Sequence, residues 1–271
     1  MHIIFNFKKL PPPCSQGTRQ CFRGGFAEYV DVFLRGNGPL MALLFNPNVV
    51  TLPIVGSQDR FPVRRVYCVG RNYLEHIREM KEGDERDPPF FFQKPTDSVT
   101  SEGTDISYPP QTDDLQFEVE LVVAIGSSAT GVPVERALDV VFGYGVGVDL
   151  TRRDRQRESF AKGLPWEIGK SFDQSAPCGP IHPVAAIGHR LAGAISLSLN
   201  GAERQRGDLA QMIWNPPEII SNLSASYRLE PGDLIMTGTP AGVGPLVPGD
   251  KLTASIEGLA PFSFSIGPKV S

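Results

Sequence analysis

No stretch of the 271 residues approaches the ~18 consecutive apolar residues that a membrane-spanning helix needs. Cysteine is scarce. The four residues Cys14, Cys21, Cys68 and Cys178 form no CxxC pair, which excludes the spacing of a structural zinc site and a dense disulfide framework. A reducing, cytoplasmic compartment is the expectation. An excess of positive charge is missing as well: the formal net charge is −4, which argues against a general nucleic-acid or anionic-membrane binder. The usual nucleotide loops are not formed. Gly244 and Gly249 have P-loop spacing, but Asp250 stands where the Lys belongs. In GYGVGV (143–148), Val148 occupies the third glycine position of G-x-G-x-x-G, and there is no GxSxG nucleophile elbow.

Glycine (28) and proline (25) are abundant, which suits many short strands joined by turns. Strand-like segments are RVYCVG, PPFFFQKP, the run from Phe117 to Ile125, GYGVGVDL, AISLSLNG, GDLIMTGTP, DKLTASIEG and PFSFSIG. Helices are expected at NYLEHIREM, with Asn72 as N-cap, Glu75 three residues on and Gly83 ending it, at PVERALDVV and at PPEIISNLSASYRL. The expected class is β-rich α+β.

Residues 1–40 differ from the rest. They lack periodicity and hold five Lys/Arg and two Asp/Glu, a balance of +3 against −7 for residues 41–271. Pro11–Pro13 would break an amphipathic targeting helix, and no apolar h-region with a cleavage site is present. The segment reads as a non-domain extension, or as an artefact of start-site choice, ahead of a catalytic domain at 41–271. A chain beginning at Met41 is therefore expected to keep its melting temperature and activity. A loss of several degrees would show that residues 1–40 pack on the domain.

Four features carry chemistry. In a strand through 117–125, Glu118 and Glu120 share a face while Phe117, Val119 and Leu121 take the other. Two like charges side by side need water, a cation or a metal to offset them. Asp149, ending GYGVGVD, supplies a third carboxylate, and such a set suits Mg²⁺ or Mn²⁺; a solvated acidic face is the plainer alternative. His76 and Glu79 are i, i+3 on a helix, where a carboxylate can orient an imidazole as a general base, or make an ordinary surface pair. Lys170, in LPWEIGKSFD, reads either as an oxyanion clamp or as a rim lysine with its stem on hydrophobes; Trp166 reads as core. The glycine-rich turn MTGTPAGVG (236–244) offers backbone N–H groups to a carboxylate.

Taken together, YCVGRNYLEHIREM (67–80), FEVELVVAIG (117–126), GYGVGVDLTRRDRQ (143–156), KGLPWEIGKSFDQSAPCGP (162–180), LNGAERQRGDLAQMIWNPPEII (199–220) and PGDLIMTGTPAGVGPLVPGD (231–250) resemble the fumarylacetoacetate hydrolase family, in that family's order. The resemblance implies a mixed β-sandwich roll, a homodimer, and Mg²⁺ or Mn²⁺ held by Glu118, Glu120 and Asp149. It places the family's His–Glu pair on His76 and Glu79, its active-site lysine on Lys170, and its substrate contacts on Arg153, Gln156 and Thr239. The implied substrate is a small anionic 2-oxo acid. The implied reaction is hydrolysis of a C–C bond in an acylpyruvate, fumarylpyruvate foremost. Oxaloacetate decarboxylation, or hydration or isomerisation of a related 2-oxo acid, is the alternative, and a non-catalytic binding module a distant one.

Overall fold

The computed structural model describes residues 48–80, 87–101 and 105–270, with Leu44 and Asn46. The expected extension at 1–40 and Gly83 lie outside these residues. Every strand and helix described belongs to the compact unit Asn48–Ser271.

The sequence VELVVAI, with no polar residue but Glu120, forms a strand, Val119–Ile125, that is buried along its whole length. Such a strand needs cover on both faces. Val119, Leu121, Val123 and Ile125 enter the larger core, while Val122 and Ala124 enter a second core with Leu52, Cys68 and Met236. Val119–Ile125 is central to a six-stranded sheet of order His182–Pro183, Val141–Val148, Val119–Ile125, Leu234–Met236, Val66–Gly70, Phe90–Lys94. Leu234–Met236 runs parallel to Val66–Gly70 and antiparallel to Val119–Ile125, so the sheet is mixed. A five-stranded sheet has the order Ala202–Asp208, Ala194–Leu199, Lys251–Ile256, Phe262–Lys269, Ile106–Tyr108. Its Ile195, Leu197, Leu252, Ala254 and Ile256 share the larger core with the six-stranded sheet. The two large sheets share the larger core, and with three smaller sheets among the described residues and short helices around them they make the β-rich α+β mixed-sheet fold that the sequence leads one to expect.

Three local expectations need correction. The single strand through Phe117–Ile125 is two strands, because Glu118 interrupts it. Leu115–Phe117 pairs with Thr151–Arg152 and Gly244–Pro245, whereas Val119–Ile125 belongs to the six-stranded sheet. At the break the backbone bonds are met elsewhere: the Asp149 N–H donates to the Glu118 carbonyl at 2.8 Å, and the Val119 N–H to Gln205 Oε1 at 2.9 Å. Asn72 is not an N-cap. The helix begins at Leu74, and Asn72 is wholly buried, donating to the carbonyls of Trp214 (2.9 Å) and Thr237 (2.7 Å) and accepting from the Trp214 N–H (2.7 Å). PVERALDVV forms a 3₁₀ helix, Val134–Val140, rather than an α-helix. The polar stretch after Asp149, without an apolar stripe to mark it, forms the helix Arg153–Ala161. The helix Pro216–Ser226 is as expected, with a reciprocal Asn215–Glu218 capping box and prolines in its first turn.

The glycines of GYGVGV serve packing. A Cβ on Gly143 would lie 2.3 Å from the His182 carbonyl oxygen, so only glycine admits the edge strand His182–Pro183.

Candidate active site

Strand ends and short helices converge on one cleft beside the six-stranded sheet. Glu118 sits at the break between strands, Glu120 two residues on, and Asp149 just beyond Val141–Val148. Lys170 is the last residue of the short helix Glu167–Lys170, and Arg153 and Gln156 lie one turn apart on Arg153–Ala161. His76 comes from the helix Leu74–Met80, and Thr239 from the turn after Leu234–Met236. All of these line the same cleft. Glu79 does not line it but stands behind His76. The structure thus brings together eight of the nine sequence-predicted residues and places the ninth as support.

The carboxylates are buried, which excludes the solvated-face reading. Glu118 is 4% exposed, Glu120 2% and Asp149 1%. One oxygen from each lies within 4.8 Å of the others. Lys170 is buried too, so it is no rim lysine: Nζ donates to Glu118 Oε2 and Asp149 Oδ2, both at 2.7 Å, and to Thr151 Oγ1 at 2.8 Å. Arg153 pairs with Glu118 Oε1, with its Nε on Gln116 Oε1 (2.8 Å) and Nη1 on Gln156 Oε1 (2.5 Å). Glu120 accepts from the Gly238 N–H at 2.7 Å. Among the described residues it has no Lys or Arg partner.

These partners split the two glutamates electrostatically. Burial pushes the Glu118 carboxyl up, but Lys170 and Arg153 outweigh it and hold Glu118 well below the usual carboxylate range. Burial, with the charges of Asp149 and Glu118 added, pushes Glu120 well above that range. On Lys170, burial works against the charged form, and Asp149 and Glu118 more than restore it.

The His76–Glu79 pair forms as the i, i+3 spacing predicts. His76 Nδ1 lies 3.2 Å from Glu79 Oε2. A carboxylate can only accept, so the neutral imidazole carries its proton on Nδ1 and leaves Nε2 as the proton acceptor. The Gly242 N–H donates to both oxygens of Glu79, at 3.1 and 3.2 Å. Burial raises Glu79, but the hydrogen bonds from His76 and Gly242 outweigh it and leave the carboxyl below its usual value. The turn MTGTPAGVG therefore does hold carboxylates, and they are the protein's own Glu120 and Glu79.

Several residues escape a linear reading. Trp166 is not core: it lines the cleft with its ring centroid 4.9 Å from that of Phe90. Arg71 lines the cleft as well, with its guanidinium 5.8 Å from the rings of both Phe160 and Trp166 and a backbone φ of 60°. Gln205 anchors Thr239, donating to its Oγ1 at 2.8 Å. Lys94, in the apolar run FFFQKP, has a fully buried side chain 2.9 Å from Asp149 Oδ1. A lysine closing a hydrophobic strand is the one signal in the sequence that could have pointed to it.

The oxygen set fits a hard divalent cation. Three buried carboxylates converge, Glu120 lacks a cationic partner among the described residues, and Asp149 Oδ1 is buried without accepting a hydrogen bond in spite of its ion pair with Lys94. Glu118, Glu120 and Asp149 would hold such an ion.

Comparison with known proteins agrees. Residues 65–266 match the profile "Fumarylacetoacetate (FAA) hydrolase C-terminal". A fumarylpyruvate hydrolase of Ralstonia sp is 41% identical over 179 residues, 66% of this chain and 93% of that protein. Human oxaloacetate tautomerase FAHD1 is 40% identical over 203 residues, 75% of this chain and 91% of that protein. The crystal structure of fumarylpyruvate hydrolase from Pseudomonas aeruginosa in complex with Mn²⁺ and pyruvate superposes with a TM-score of 0.82 at 48% identity, covering 84% of this chain and all of that one. The chain, with its buried acidic triad, is a member of the fumarylacetoacetate hydrolase family.

Proposed function

We propose that the protein hydrolyses the C–C bond of an acylpyruvate, with fumarylpyruvate as the foremost substrate and fumarate and pyruvate as products. The observation that carries this reading is the placement of a carboxylate-oriented imidazole, His76 on Glu79, in the same cleft as the buried triad. The divalent ion, Mg²⁺ or Mn²⁺, supplies Lewis acidity and a template for the 2-oxo acid when bound by Glu118, Glu120 and Asp149.

The chain's own residues do the rest. Arg153, fixed on Gln116 and Gln156, and Lys170 would, together with the bound divalent ion, make the pocket positive toward a substrate carboxylate. Gln156 and Thr239 line the same cleft and offer further polar contacts. His76 Nε2 takes a proton from water, and the resulting hydroxide adds to the acyl carbonyl carbon that is bonded to the pyruvyl methylene. The C–C bond then breaks with its electron pair leaving on the pyruvate enolate. The Lys170 ammonium stabilises that enolate. Protonation of its carbon gives pyruvate, and the acyl group departs as the acid.

A second reading, interconversion of oxaloacetate tautomers, is favoured by the likeness to human oxaloacetate tautomerase FAHD1. Decarboxylation of oxaloacetate, or hydration or isomerisation of a related acid, draws on the same enolate; none of these except hydration consumes water. A homodimer in the cytoplasm belongs to the proposal. The test follows the ultraviolet loss of fumarylpyruvate, maleylpyruvate, acetylpyruvate and oxaloacetate with Mg²⁺ present. Faster loss of fumarylpyruvate than of oxaloacetate is expected; turnover of oxaloacetate alone would overturn the hydrolase reading.

A further inference from the structure

We infer that Lys94 is a positioning residue of the metal centre, one that locks Asp149 and Lys170 into a single unit. The inference rests on reading the carboxylate triad as a metal site. Lys94 closes the edge strand Phe90–Lys94, where it pairs with Val66 of the neighbouring strand. Its side chain has no exposure, and its ammonium lies 5.4 Å from the centre of the Phe172 ring. It does not line the cleft, so it is not placed to touch substrate.

Among the described residues the Lys94 ammonium has three partners, all on the two segments that carry the chemistry. Nζ donates to the Leu150 carbonyl at 3.2 Å and to the Lys170 carbonyl, and stands 2.9 Å from Asp149 Oδ1. Leu150 follows Asp149 directly. One buried cation thus grips the backbone beside Asp149, the Asp149 carboxylate and the backbone of Lys170. Lys170 in turn reaches across to Asp149 Oδ2 and Glu118 Oε2. The separation between a metal-binding carboxylate and the enolate-stabilising ammonium is set through Lys94. Its charge also completes a balance, Lys94, Lys170 and Arg153 against Glu118, Glu120 and Asp149.

Charge and position predict opposite signs. Lys94 repels a divalent cation, so on Coulomb grounds alone its removal tightens metal binding. Groups that orient metal ligands act the other way, and losing one typically weakens binding by about 10–100-fold. The test titrates Mn²⁺ alone into the metal-stripped full chain by calorimetry, for wild type, Lys94→Met and Lys94→Gln, with circular dichroism confirming the fold. We expect the dissociation constant of Lys94→Met to rise by ~10–100-fold, with Lys94→Gln, which keeps a donor but no charge, in between. Equal or tighter Mn²⁺ binding by folded Lys94→Met would overturn the inference. Wild type that binds no Mn²⁺ would remove the metal-centre reading beneath it. If neither variant folds, a crystal structure of the Mn²⁺-loaded wild type decides: Nζ is expected still on the Leu150 and Lys170 carbonyls and within ion-pair distance of Asp149, and its release from them would refute the role.

Discussion

His76→Ala should slow acylpyruvate hydrolysis by ~10²–10⁴-fold, or roughly 3–5 kcal/mol of barrier, while leaving Mn²⁺ binding intact. The imidazole lines the cleft and is oriented by the Glu79 carboxylate, which leaves its Nε2 as the proton acceptor. Glu79→Gln should cost less, since the imidazole remains but loses its orienting charge. The Glu79 carboxyl sits below its usual value, so the folded state favours its ionised form. Its contribution to stability is present above the ordinary carboxylate pKa and is lost as pH falls through the depressed folded value. Oxaloacetate decarboxylation, which needs no attacking water, should suffer less than hydrolysis in both variants. The measurement is the ratio of the two rates in wild type and His76→Ala. Unchanged hydrolysis would place the base elsewhere.

Glu120→Gln should abolish metal-dependent turnover without unfolding the protein. Removing Glu118 would leave Lys170 and Arg153 without a shared buried anion, so a loss of activity there would be ambiguous. Glu120 has no such cationic partner among the described residues, and in the metal-free chain burial and two neighbouring carboxylates raise its pKa well above the usual range. A carboxyl raised on folding stabilises the protein fully below its unfolded value, and that contribution is lost as pH rises through the folded value. Metal-free wild type should accordingly lose melting temperature as pH rises. Glu120→Gln should lack that decline, and Mn²⁺ should suppress it in wild type only. Melting curves across pH, with and without Mn²⁺, check this, and EDTA should abolish activity that Mg²⁺ or Mn²⁺ restores. Full activity of Glu120→Gln in metal-free buffer would contradict the metal site.

Much of the site was legible because its chemistry is written in local spacing. His76 and Glu79 are one turn apart, Glu118 and Glu120 two residues apart, and Asp149 closes a readable strand. Hydrophobic periodicity marked most strands, and the Asn215–Glu218 box marked its helix. What escaped is non-local. Asn72 looked like a cap because Glu75 follows at the right distance, yet its amide is spent on Trp214 and Thr237, more than 140 residues away in sequence. The break at Glu118 depends on Gln205 replacing a strand partner, which no window around 117–125 contains. Lys94 is hidden for the same reason. Its meaning lies in Asp149, Leu150 and Lys170, which the fold brings to it from other elements. The helix Arg153–Ala161 was obscured for another reason: it keeps only Arg153, Gln156 and Ser159 buried, so its inward face is polar and carries no apolar period.

Metal-dependent cleavage of an acylpyruvate is tested most directly by product analysis of fumarylpyruvate after incubation with metal-loaded and EDTA-stripped protein. Equimolar fumarate and pyruvate are expected from the Mg²⁺- or Mn²⁺-loaded protein and neither product from the stripped one. Recovery of the intact carbon skeleton from the loaded protein, with no pyruvate released, would contradict the proposed hydrolysis.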